Sequence, residues 1–222
     1  MKPTLKALSA SLAIATVAAL WAGCASSGYQ KGEKTASHLE STAAEIELGK
    51  ARVQIALDTL NDLMQKPSED LRPQYKAFSS AVSKVAATAR RVNAKAEAMA
   101  AAGQAYAAKW DEQMATIASP DIRARSEARK AAVMASLAQV QTEYQQTKAS
   151  FNPFLADLED IDKALSLDLT PAGVDSLADE ARKANAQGAD LIKSLDALTT
   201  DFRDLGAKLS PLTPKPVGTP AN

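Results

Sequence analysis

The chain has 222 residues, of which 46% are hydrophobic and 23% charged, so it can bury a core and favours one elongated domain. Its 26 basic and 26 acidic residues cancel, which argues against a nucleic-acid-binding surface. A single Cys and a single His exclude a disulfide framework, a zinc cluster and covalent haem attachment within the chain. We therefore expect neither a metal nor a cofactor.

Residues 1–23 have the three parts of a secretory signal peptide. These are a positive start at Lys2 and Lys6, an apolar core over 7–20, and small residues at Ala22 and Gly23. The next residue is Cys24, so the segment resembles the bacterial lipobox, in which the cysteine thiol takes a diacylglycerol. We expect lipid attachment at Cys24 and membrane anchoring through that lipid. Cleavage nearby, for instance after Ala25, is the alternative.

The residue after the cysteine predicts which membrane the lipid enters. In Gram-negative lipoproteins an Asp there usually retains the protein at the inner membrane, whereas this chain has Ala25. This resembles an outer-membrane address, with the protein on the periplasmic face. Trp21 departs from the lipobox, which usually has Leu there. Residues 24–34 are predicted to be the lipidated N-terminus and a flexible tether.

Hydrophobic periodicity predicts an elongated helical bundle over residues 35–209. The first helix is expected over about 35–66, with an apolar residue every seven positions. Those residues are Leu39, Ile46, Val53 and Leu60. Pro67 ends this helix, and Ser68 with the acidic residues that follow it suits the start of the next.

Residues 71–165 carry the longest periodic pattern, with apolar or small residues at alternating steps of four and three. Such a repeat predicts helices that bury a narrow seam against partner helices. The pattern has one polar entry, Gln113, in its first half and is interrupted after Ala118, where Ser119 suits an N-cap and Pro120 the first helical position. Two long antiparallel helices are therefore predicted, the second continuing through a kink at Pro153.

A fourth helix is expected from Thr170 to Leu209, followed by a disordered, proline-rich tail over 210–222. The fold class is thus all-α, an antiparallel coiled-coil-like bundle with up-down-up-down order and a long central hairpin. A partly three-helix rod, or a hairpin that completes its seam with a second copy, is the competing architecture.

From Lys109 onward the chain resembles an uncharacterised bacterial family, domain of unknown function 2959. The parts that carry the likeness are 110–112 (Trp-Asp-Glu), 122–127 (Ile-Arg-Ala-Arg-Ser-Glu), 153–155 (Pro-Phe-Leu) and the run 191–202. The likeness is loose over the first helix, and Phe151 stands where the family tends to have Met. The resemblance implies a helical envelope protein and supplies no activity, ligand or catalytic residue.

The turn between the second and third helices, called the hairpin tip below, has the most unusual local chemistry. Its predicted docking residues are Lys109, Trp110, Arg123, Arg125, Arg129 and Lys130. Cations near the start of a helix oppose its dipole, so this surface is expected either to dock an anionic partner or lipid headgroups, or to be a solvated, salt-bridged turn. Chain direction from Cys24 predicts that the tip returns to the membrane end.

The sequence contains no Gly-rich phosphate loop, no Ser-centred elbow and no His that could serve as a base with a partner. Carboxylates fall at outward helix positions, such as Glu159, which is predicted to pair with Lys163. We expect a non-enzymatic protein with no catalytic residue and no small-molecule substrate. The predicted function is a structural or adaptor component of the envelope that contacts another envelope protein or a second copy. The alternative is a lipid- or peptidoglycan-proximal stress or trafficking factor that binds anionic headgroups through the tip.

Overall fold

The computed structural model describes residues 27–211, which form one antiparallel bundle. Its helices are α1 (Gly28–Gln65), α2 (Arg72–Met114), α3 (Pro120–Leu167), α4 (Pro171–Ser176) and α5 (Ala178–Leu209). No strand occurs between residues 27 and 211, and the all-α prediction is confirmed. The predicted signal peptide, Cys24 and most of the predicted tail lie outside the described residues.

The four long helices surround one core in which α1 packs along both α2 and α5. Helix α3 closes the bundle through smaller interfaces with α2 and α5, and its backbone makes no close contact with that of α1, which lies diagonally across the core. The predicted seam is buried on every long helix because its period keeps one face of each helix toward the core. The most deeply buried large side chains are Phe78, Phe154, Phe202, Leu39, Ile46, Leu60 and Leu158.

The bundle has four helices over most of its length but three at the hairpin tip. Gly206, near the end of α5, packs against the backbone of Ala36 and the Cβ of Leu39. Helix α1 continues from that level back to Gly28, and the α2–α3 hairpin continues beside it. The cross-section is therefore mixed, because α5 has 32 residues against 43 in α2 and 48 in α3.

The predicted tether is wrong over its second half, because α1 begins at Gly28 and not near residue 35. The missing side chains of Gly28 and Gly32 let α1 approach α2 closely. A Cβ on Gly32 would lie 3.1 Å from the ring of Tyr106, and one on Gly28 would lie 2.2 Å from Gln113. The amide of Gly28 donates to Oε1 of Gln113 at 2.8 Å. These glycines serve close packing rather than flexibility.

The side-chain cap predicted for α3 is present, whereas the predicted Ser68 cap of α2 is wrong, because α2 starts after Leu71 with no side-chain cap. Ser119 caps α3 by accepting from the amide of Ile122 at 3.4 Å, and α3 runs through Pro153 without a break, as predicted. Helix α2 ends at Met114, four residues before the predicted position. The predicted fourth helix is divided at Leu177, whose amide donates to the Val174 carbonyl three residues back. This tighter turn ends α4 without losing the buried register.

Candidate functional site

Most of the predicted docking residues at the hairpin tip are bound to neighbouring groups of the tip itself. The Nζ of Lys130 lies 2.5 Å from Oδ1 of Asp111, and the Nζ of Lys109 lies 2.8 Å from Oε1 of Glu112. The guanidinium of Arg123 donates to the carbonyl of Ile117 at 2.6 Å, across the turn. Exposed ion pairs of this kind add little stability, so they hold the local geometry more than the fold.

Trp110 is half-buried, and its indole N–H donates to Oγ of Ser126 at 2.8 Å. Its ring lies 5.2 Å from the ring of Tyr106, at an interplanar angle of 43°. Burial raises the pKa of the Tyr106 hydroxyl, and the nearby charge of Arg129 acts in the opposite direction. Trp110 thus joins α2 to α3 through Ser126.

Arg125 and Arg129 differ from the other tip cations, because neither has an ion pair or hydrogen bond within residues 27–211. Both side chains are exposed on α3. Two large apolar side chains are exposed at the same end of the bundle, Ile122 (58%) and Tyr29 (64%). The outer tip therefore combines free cations with apolar side chains.

The charge of the tip is more balanced than the cluster of basic residues implies. Acidic side chains alternate with the basic ones along 109–130, at Asp111, Glu112, Asp121 and Glu127. The net charge of this segment is therefore small, and Arg125 and Arg129 are the cations of the described tip that have neither an ion pair nor a hydrogen bond.

The first turn of α1 lies beside the tip, because Gly28 is hydrogen-bonded to Gln113 near the end of α2. The turn between α1 and α2, the α4 segment and the exposed Leu167 lie at the opposite end, called the distal end below. The up-down order brings the tip back to the start of α1, as chain direction predicts.

A second candidate site, which the sequence pattern did not reveal, is a cavity of about 250 Å³ between α2 and α3 near the middle of the bundle. Its inner wall comes from all four long helices, through apolar side chains that include Ile46, Val85, Phe151, Leu155, Leu195 and Leu198. Polar side chains also line it: Arg90, Asn93, Thr147, Lys148, Asn152 and Glu159, which are exposed or half-buried and form its mouth, and Tyr144, which is buried. We call this the α2–α3 cavity.

The sequence pattern gave no sign of the α2–α3 cavity. Its apolar lining residues follow the ordinary seam spacing, and this spacing is the same for a closed and for an open interface between helices.

The predicted ion pair of Glu159 with Lys163 is wrong, because Lys163 pairs with Asp160 at 2.9 Å. Glu159 is instead half-buried at the edge of the cavity.

Among the described residues there is neither a group of possible metal ligands nor a helix suited to cross a membrane. Between residues 27 and 211 no three His, Cys, Asp or Glu side chains are grouped so that they could hold a metal ion. Over the same residues no helix combines the length and the apolar character needed to cross a bilayer.

The fold and the two candidate sites define a class, an elongated all-α bundle with a salt-bridged tip and a lateral cavity. The family model described as "Protein of unknown function (DUF2959)" matches residues 21–203, and the chain belongs to that family. The match is broader than the resemblance seen from Lys109 onward, since it takes in α1 and α2 as well. Neither a curated protein nor a solved structure matches the chain.

Proposed function

We propose that the chain is a non-enzymatic periplasmic lipoprotein, anchored in the outer membrane at Cys24, that acts as a rod-like structural or adaptor component of the envelope. The observation that carries this proposal is the hydrogen bond of Gly28 to Gln113, at 2.8 Å, which joins the start of α1 to the hairpin tip. It supports an upright rod with one end held at the membrane and the other presented to a partner.

The lengths of the chain segments set the distance of each end of the bundle from the membrane in this orientation. Cys24 precedes Gly28 by four residues, which span at most about 14 Å when fully extended. Helix α1 has 38 residues, which corresponds to about 57 Å at the rise of an α-helix. A lipid at Cys24 would therefore hold the tip close to the bilayer and the distal end about 50–60 Å away from it.

The outward surface offers apolar contacts to a protein partner. Leu48 and Ile55, one heptad apart on the outer face of α1, are 39% and 43% exposed, and Leu167 at the distal end is 88% exposed. Contact with a second protein would bury such apolar side chains, and this removal of apolar surface from water would favour the contact. We propose an envelope protein or a second copy as the partner.

The anchor is tested by growing cells with labelled fatty acid and following the label in the purified chain. We expect label in the native chain and none in a Cys24→Ala variant, which should also leave the membrane fraction. Equal labelling of both chains would overturn the lipoprotein assignment.

The adaptor role is tested with photo-crosslinking amino acids at Ile55 and Leu167, and at Gln139 as a matched exposed position on α3. A defined crosslinked protein is expected from Ile55 or Leu167 and not from Gln139. The same weak pattern from all three positions would contradict a specific docking face.

A second candidate function is direct binding of anionic lipid headgroups by the hairpin tip. The exposed and unpaired Arg125 and Arg129, next to the exposed side chain of Ile122, favour it. Each cation near an anionic surface contributes about 1 kcal/mol, and salt screens the attraction. Apolar Ile122 at the headgroup level would add contact area.

Vesicle flotation with a Cys24→Ser chain measures this binding without the lipid anchor. Binding to phosphatidylglycerol vesicles should fall with salt and be lost in Arg125→Glu with Arg129→Glu. The control reverses Lys76 and Lys84, which are exposed on α2 away from the tip. If both charge reversals weaken binding equally, the tip has no special role.

A further inference from the structure

The α2–α3 cavity is an unusual feature of a bundle core, because protein interiors are packed as densely as organic crystals. Its volume of about 250 Å³ exceeds that of an engineered apolar cavity of about 150 Å³ that accepts benzene. The inner wall is built from Val85, Phe151, Leu155 and Leu198. A site with this lining favours a hydrocarbon group over a polar one.

Two hydrogen bonds set the register of α2 against α3 on either side of the cavity. The hydroxyl of Tyr144 donates to Asn93 at the end nearer the tip. Beyond the other end, Oγ of Ser79 donates to Oδ2 of Asp162 at 3.3 Å. In this antiparallel register Arg90 on α2 and Lys148 on α3 lie at the same height, on opposite sides of the mouth.

These two cations have no partner of their own. Neither Arg90 nor Lys148 takes part in an ion pair or hydrogen bond among residues 27–211. The acidic residue that lines the cavity, Glu159, lies about 16 Å away along α3. Among the residues that line the cavity, the charges are therefore positive at the height of Arg90 and Lys148 and negative at the far end, while the charge of Glu97, which does not line the cavity, acts on the Tyr144 side chain at the near end.

The distance between the positive and the negative end of the cavity matches the length of a hydrocarbon chain. About 16 Å of mostly apolar lining separates the height of Lys148 from that of Glu159, close to the roughly 15 Å that one leaflet contributes to a hydrocarbon core. An acid group near Arg90 and Lys148 would gain charge-assisted hydrogen bonds. Its chain would then lie along Phe151 and Leu155.

We propose that the α2–α3 cavity binds a single acyl chain that carries an anionic head, with the head held between Arg90 and Lys148. A free fatty acid and an anionic lysophospholipid share this chemistry. The binding is independent of the adaptor role and of the anchor at Cys24, since it rests on the interface between α2 and α3 alone.

The experiment uses the full chain with Cys24→Ser, so that an N-terminal acyl group cannot compete for the cavity. Dansyl-labelled undecanoate serves as the fluorescent probe, and its displacement is measured with laurate, lauroyl lysophosphatidylglycerol and lauryl alcohol. We expect laurate and lauroyl lysophosphatidylglycerol to displace the probe. Lauryl alcohol should bind about tenfold more weakly than whichever of these two anions binds more tightly. Tighter binding by laurate or by the lysophospholipid identifies the source of the chain.

Charge reversal tests the mouth without altering the core. Arg90→Glu with Lys148→Glu should weaken anion binding by about tenfold or more and leave lauryl alcohol unchanged. Reversal of Lys76 and Lys84 is the matched control and should change neither. Ala89→Phe, which fills the cavity, should abolish displaceable probe binding while circular dichroism shows the same helix content.

Three results would overturn the proposal. The first is failure of both anions to displace the probe, and the second is lauryl alcohol that binds as tightly as they do. The third is unchanged anion binding after reversal of Arg90 and Lys148. These charge-reversal results remain decisive if Ala89→Phe fails to fold, because Arg90 is exposed and Lys148 only half-buried.

Discussion

Substitution of Gly32 by leucine should release the first turns of α1 from the hairpin tip. A Cβ at this position would lie 3.1, 3.2 and 3.4 Å from three atoms of the Tyr106 side chain, and that ring is itself held against Trp110. Overpacking of this kind costs about 1–3 kcal/mol, which exceeds the gain of under 1 kcal/mol from replacing a helical glycine. We expect a net local loss of about 1 kcal/mol, or a fivefold larger open population.

Hydrogen exchange followed by mass spectrometry measures this opening directly. Peptides covering 28–38 should exchange about fivefold faster in Gly32→Leu, whereas peptides from the distal half should not change. Gly49→Ala is the matched control on the same helix, because its Cβ would meet Thr88 at an ordinary 3.6 Å. Unchanged exchange at 28–38 in Gly32→Leu, or equal acceleration in Gly49→Ala, would refute close packing as the reason for these glycines.

Three further predictions concern the bundle core and its polar contacts. Phe154→Ala, at a side chain only 1% exposed, should lower the free energy of unfolding in urea by about 3–5 kcal/mol; a loss below 1 kcal/mol would contradict tight packing there. Asn61 and Asn185 exchange amide hydrogen bonds of 2.9 and 2.8 Å between α1 and α5. Either single alanine variant should cost about 1–3 kcal/mol, and the double variant less than the sum, in a double-mutant cycle. Burial, and then the charge of Glu143, raise the pKa of Asp201 in the folded chain. The protonated Asp201 carboxyl therefore contributes stability that is fully present below the pKa of the unfolded chain, and this stability is lost as pH rises through the pKa of the folded chain. Asp201→Asn should therefore be more stable than the native chain at neutral pH, with the difference shrinking on acidification; a difference that grows on acidification would show that the sign is wrong.

The periodic spacing of apolar residues predicts most of the fold because it records directly which face of each helix avoids water. Val82 and Leu158 are buried as their heptad positions require, and Pro120 begins α3 at the predicted position. The helix ends were harder to predict. Glycine at 28 and 32 is compatible with a tether and with close packing, and only the position of Tyr106 on the neighbouring helix decides between them.

For the two candidate sites as well, the sequence predicts some features and the tertiary structure decides the others. A cluster of basic residues is visible in the sequence, but which cations are free is not. Lys130 is neutralised by Asp111, nineteen positions away along the chain, whereas Arg125 has no such partner among the described residues. The cavity was not predicted, since Arg90 and Lys148 are brought together only by the register of α2 on α3.

The sequence by itself determined the helices, their antiparallel order and the buried face of each, because these follow from local periodicity, caps and short turns. Tertiary structure decided how closely those faces approach one another. Along α1 and α2 glycine allows close contact up to the tip, and between α2 and α3 the interface stays open beside Phe151. The physical reason is that spacing along a chain fixes the direction of a side chain, whereas the distance between two helices depends on every side chain packed between them.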